Sequence, residues 1–68
     1  VEQNDKEAVK WYTIAADHGS NRAQYNLGIK YEYGEGVTKD IQKAKELYQK
    51  AADGGSESAK KALAGFND

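Results

Sequence analysis

Cysteine, proline and methionine are absent from this 68-residue chain, and histidine and tryptophan occur once each. Without cysteine neither a disulfide framework nor a thiolate metal site can form, and the compartment stays open. His18 is the lone histidine, so one chain cannot build a two-histidine metal site; it reads as an exposed helix-end residue. No uninterrupted apolar run approaches the roughly 20 residues of a membrane-spanning helix. No sign of charge predominates either: ten basic and eleven acidic residues leave a net charge of −1. Interspersed in this way, they do not make the basic stripe that a nucleic-acid partner requires. Val1 is not preceded by methionine and no signal-like segment follows it, which reads as a processed product or an excised piece.

What remains is modest. A hydrophobic content of 38% supports one small domain over residues 1–68 with a thin core. Apolar burial and ordering entropy nearly cancel at this size. Stability has to come from close helix packing, from neighbouring repeats or from self-association.

The chain repeats itself. Shifted so that Tyr12 lies under Tyr48, Val1, Ala8, Ala15, Ala16 and Asp17 fall on Val37, Ala44, Ala51, Ala52 and Asp53. In the same register Gly19, Ser20, Ala23 and Leu27 fall on Gly55, Ser56, Ala59 and Leu63. The identities are small residues, helix-end glycines and one tyrosine, the positions on which packing depends, and they mark a duplication.

The pattern between the breaks is helical. Asn4 with Glu7 three residues on fits a capping box for a first helix over 4–17. Ala8, Trp11, Tyr12, Ala15 and Ala16 form its single apolar stripe, which reads Trp11 as core. Gly19 suits the left-handed cap that ends it. Ser20 or Asn21 starts a second helix over 20–33, with Ala23, Leu27 and Tyr31 inward and Gly28 admitting a neighbouring backbone. Gly34 and Gly36 stop it. Asp40 starts a third over 40–53, with Ala44, Leu47, Tyr48, Ala51 and Ala52 inward. Ser56 starts a fourth over 56–66, with Ala59, Ala62, Leu63 and Phe66 inward. No strand pattern is present. Four short helices with short connections predict antiparallel hairpins stacked side by side.

Ala23, Leu27-Gly28, Tyr31, Gly34-x-Gly36-Val37, Asp40, Ala44, Tyr48 and Ala51-Ala52 together resemble the Sel-1-like repeat, a relative of the tetratricopeptide repeat. The longer repeat and the Gly-x-Gly-Val loop separate it from the tetratricopeptide type, whose period is about 34 residues. The resemblance implies an all-α solenoid of antiparallel helix pairs, a tetratricopeptide-like superhelix of four helices. Residues 4–19 would be the second helix of an incomplete repeat, 20–55 one complete repeat, and 56–68 the first helix of a terminal repeat. Ala64 in the place of Gly28, and Asn67 in the place of Tyr31, give that last helix a capping character. The implied function is a scaffold for other proteins, with no chemistry and no cofactor.

Residues that could carry chemistry have plainer explanations. Gly34-Glu35-Gly36 lacks the strand, third glycine and Lys-Ser/Thr of a phosphate cradle; a turn with positive φ explains it. Glu2, Asp5, Glu7, Glu32, Glu35, Asp40 and Glu46 could supply paired carboxylates for a small hydrolase. Such a pair needs a cleft and one raised pKa, and capping or solvation explains each without them.

Two features outlast this comparison. Arg22, Tyr25, Asn26, Ile29 and Tyr33 share the side of the second helix opposite its core stripe, and Lys61 follows Tyr25 one repeat on. In tetratricopeptide-like arrays the first helix of each repeat lines the concave groove, so this set is the candidate partner-binding surface. Tyr25 and Ile29 packing on an adjacent helix is the competing reading. The other feature is Val9, Trp11 and Ile14, which widen the apolar arc of the first helix beyond that of the third. Cover by an upstream helix, or self-association, would account for them. A protein-interaction scaffold is thus the expectation, with a purely structural spacer or cap as the alternative.

Overall fold

The computed structural model describes residues 2–66, with side chains from residue 4. The pairing of Val1 with Val37, the comparison of Asn67 with Tyr31 and the Glu2 carboxylate lie outside the described residues. Four helices follow one another: α1 (Glu2–Asp17), α2 (Asn21–Tyr33), α3 (Ile41–Asp53) and α4 (Glu57–Phe66). No strand occurs among the described residues. Packing runs mainly between neighbours in sequence, α1 on α2, α2 on α3 and α3 on α4. That is how a repeat array buries its apolar faces.

The duplication holds at the level of single hydrogen bonds. At the end of α1 the Ser20 amide donates to Ala15 O at 3.1 Å and Gly19 N to Ala16 O at 3.0 Å. At the end of α3 Ser56 N donates to Ala51 O at 3.0 Å and Gly55 N to Ala52 O at 2.9 Å. Both are the paired closure that satisfies the last carbonyls of a helix. The next helix then starts the same way twice: Ser20 Oγ accepts from Ala23 N, and Ser56 Oγ from Ala59 N, each at 3.2 Å. Asp40 caps α3 by accepting from Lys43 N at 3.1 Å.

The α2–α3 loop is fastened to α1. At Gly36 φ is +78°, and a Cβ there would sit 2.6 Å from the Asp5 carbonyl group. Only glycine meets both demands. Beside it Lys30 Nζ bridges Asp5 at 3.3 Å and Glu35 at 3.6 Å. Burial depresses the Lys30 ammonium's pKa, but the hydrogen bond and charge of Asp5, with those of Glu35, outweigh it and leave the pKa raised.

The core is small because the molecule is a slab of 30 × 26 × 15 Å. Ala23, Leu27, Ala44, Leu47, Tyr48, Ala51, Ala52 and Ala59 are buried, and the alanines let the helices approach closely. Gly28 serves that approach differently from the sequence-based expectation. Its neighbour is not backbone but the Tyr48 ring, whose Cε1 would lie 2.6 Å from a Cβ at position 28.

Two further expectations are corrected. Helix α1 starts at Glu2, so Asn4 lies inside its first turn rather than at the cap. Glu2 and Gln3 are ordinary helix formers, so the helical pattern extends two residues ahead of Asn4. Trp11 is 65% exposed rather than core, although it occupies a stripe position. Helix α1 packs chiefly on α2, and within the described residues nothing covers its other side.

Candidate functional groove

The side of α2 turned away from α1 faces α4, and the two leave a cleft floored by α3. Helix α2 contributes Tyr25, Ile29, Glu32 and Tyr33 to a cavity of about 330 Å³. Tyr48 lies at its base, and Ala62, Gly65 and Phe66 form the opposite wall. The sequence explains the opening. Below it Gly28 draws α2 onto the Tyr48 ring, whereas Gly65 on α4 adds no side chain to close the top.

Three rings run in series through this cleft. Tyr25 and Tyr48 have centroids 5.7 Å apart at 41°, and Tyr48 and Phe66 5.8 Å apart at 33°. These tilted pairs fall in the favourable range for aromatic contacts. The Tyr48 hydroxyl donates to Glu32 Oε1 at 2.7 Å. Burial, followed by this bond and the Glu32 charge, raises the Tyr48 pKa far above its ordinary value, so the phenol remains a proton donor. At the rim the Lys45 ammonium sits 5.5 Å from the Phe66 centroid.

The predicted surface residues divide. Tyr25, Ile29 and Tyr33 line this cavity together, and Tyr33 is 65% exposed. Tyr25 and Ile29 are half-buried and also pack on the Ala44–Tyr48–Ala51 core, so lining and packing coexist in the same side chains. Arg22 and Asn26 meet Tyr25 in an adjoining cleft of about 550 Å³, closed by Gly54, Gly55 and Ser58. Asn21 anchors that cleft by donating to Gly54 O at 2.7 Å. Lys61 is exposed on α4 and lines neither cavity. Glu32, Tyr48 and Phe66 were not legible as groove residues. Tyr48 and Phe66 carry only a core signal, and Glu32 looks like any solvated acid.

Two of the described carboxylates, those of Asp5 and Glu35, meet around Lys30. Asp5 and Glu35 share a cleft of about 340 Å³ with Lys6 and Val37. Acid–base work needs one carboxyl in apolar surroundings that favour its protonated form. Here both are ion-paired to the same ammonium and their side chains are 32% and 47% exposed. Among the described residues no cluster of three or more His, Cys, Asp or Glu side chains could hold a metal ion, and no helix is long and apolar enough to cross a membrane.

Comparison with known proteins places the chain. The family model described as Sel1 repeat matches residues 1–20 and 21–56. DAP3-binding cell death enhancer 1 of Rattus norvegicus is 38% identical over 60 residues, 88% of this chain and 12% of that protein. Protein sel-1 homolog 2 of Mus musculus is 50% identical over 46 residues, 66% of this chain and 7% of that protein. Chitin synthase regulator SKT5 of Saccharomyces cerevisiae is 39% identical over 51 residues, 75% of this chain and 7% of that protein. The chain therefore spans 12% or less of these relatives.

Proposed function

The chain belongs to the Sel1 repeat family, whose members mediate interactions between proteins, and we propose that it is a scaffold holding a segment of another protein along the α2–α4 groove. Two of the relatives are named for binding or regulation, one as DAP3-binding and one as a chitin synthase regulator. No catalytic step is assigned to this chain. In the proposed arrangement, residues 4–19 complete a preceding repeat, 20–55 form a full one, and 56–68 open a terminal one. The face of the full repeat's first helix then meets the partner.

One observation carries this reading: the aromatic cleft is open, with Tyr33 exposed at its mouth while Tyr25 and Ile29 form its wall. Tyrosine and arginine carry much of the energy at protein interfaces because they combine large area with a polar tip. Arg22 and Asn26 extend the contact along α2, and Lys61 adds a basic group on α4. The test uses peptides selected for affinity against the intact chain. Tyr33→Ala and Arg22→Ala, both at exposed positions, should each weaken the selected peptides by about tenfold or more. Gln42→Ala, on the exposed side of α3, should leave them unchanged. Equal losses from all three substitutions, or none, would remove the groove as the binding site.

A further inference from the structure

On the reading that this groove holds a partner segment, we infer that its Glu32 end takes a cationic side chain, a lysine or arginine of that segment. The cavity wall holds one carboxylate and no basic residue. Glu32 accepts the Tyr48 hydroxyl on Oε1. Among the described residues Oε2 has no hydrogen-bond donor, and no ammonium or guanidinium lies within ion-pair distance of the carboxylate. Its half-buried position screens its field less than open solvent would.

The remaining surface is aromatic. Tyr25, Tyr33, Tyr48 and Phe66 line the same cavity as the carboxylate, and a cation is attracted to the faces of such rings. The chain already shows this preference at the rim, where its own Lys45 lies over Phe66 without lining the cavity. Rings and one carboxylate around a cleft of about 330 Å³ match a side chain with an apolar stem and a charged head.

Other occupants fit worse for definite reasons. A partner carboxylate would face Glu32 with no counter-ion in the wall, a repulsion that discriminates against it. An apolar side chain would strip water from Glu32 and return no partner. The cationic choice also gives the groove a direction, because Arg22 and Asn26 lie toward the other end of α2. A bound segment would set its basic residue at the C-terminal end of α2 and its acidic or neutral groups toward the N-terminal end.

Octapeptides on a common Gly/Ser/Leu scaffold, carrying Lys, Arg, norleucine or Glu at one central position, provide the probe. They are titrated into the isotope-labelled chain while the amide resonances of Ile29, Glu32, Ala62 and Gly65 report on the groove. The Lys and Arg peptides should bind about tenfold tighter than the norleucine peptide, with a margin that shrinks as salt is raised. Glu32→Gln keeps an oxygen for the Tyr48 hydroxyl and should abolish that margin while helical content is retained. Should Glu32→Gln unfold, Tyr33→Ala removes an exposed ring and should cut the same margin several-fold. Binding in the groove with equal affinity for all four peptides, or with a preference for Glu, would overturn the cationic assignment and leave the scaffold reading standing. Groove resonances that move with none of the peptides would count against both.

Discussion

Tyr48 is 1% exposed, yet its hydroxyl ends on the Glu32 carboxylate and its ring packs between Tyr25 and Phe66. Packing and polarity therefore meet in one side chain, and Tyr48→Phe separates them. That variant keeps the ring and removes a hydrogen bond to a charged acceptor, which should cost about 2 kcal/mol in denaturant unfolding at neutral pH. The pH dependence has a definite sign. The Tyr48 pKa is raised in the folded state, so its contribution is complete below the unfolded value of about 10 and declines above it, where the unfolded chain alone loses the proton. The gap between wild type and Tyr48→Phe should narrow as pH rises through about 10. A gap constant from pH 7 to 11 would show that the phenol is not held protonated by the fold. Lys30, also raised, contributes with the same sign, which is why the comparison keeps it intact in both proteins.

Helix ends and connections carry the repeat. Among the four positive-φ glycines, Gly19 and Gly55 meet open space, while Gly36 meets the Asp5 backbone. Gly55→Ala should cost only the strain of a left-handed backbone, about 1 kcal/mol. Gly36→Ala must in addition push the loop off α1, and should cost at least twice as much by thermal or denaturant unfolding. Equal losses would mean that the loop gives way without cost and that its seat on α1 is not stabilising. Asp40, Ser20 and Ser56 were legible as caps because a short polar residue at a helix start has a local function. The Lys30 link to Asp5 was not legible, since it joins residues 25 positions apart through the fold.

At the scale of the whole molecule, one side of the slab is unlike the rest. Trp11 and Ile14 are 65% and 43% exposed on α1. With Tyr12, Ala15, Ala23 and Asn26, Trp11 borders a cleft of about 470 Å³. By the internal repeat this cleft corresponds to the place where α2 seats against Tyr48, and here Tyr12 has no helix over it among the described residues. An uncovered apolar edge of this kind favours association in solution. The isolated chain should self-associate as concentration rises, and Val9→Lys/Ile14→Lys should make it monomeric. Sedimentation of both proteins decides this; a wild type that stays monomeric at every concentration would contradict it.

Sequence by itself determined the number of helices, most of their limits, the duplicated closures and the buried stripe of α3, because each depends on contacts within a few residues or on a 3.6-residue period. It also brought Tyr25, Ile29 and Tyr33 onto one face, since residues four apart on a helix share a side. Tertiary structure alone decided what that face meets. Glu32 became the carboxylate of the groove only when Gly28 brought α2 onto Tyr48 and set the two polar ends 2.7 Å apart. Trp11 was at a stripe position by periodicity, yet burial requires a neighbouring element, and none of the described helices covers it. Periodicity specifies which way a side chain points; only the packed neighbour determines whether it is core, groove or open surface.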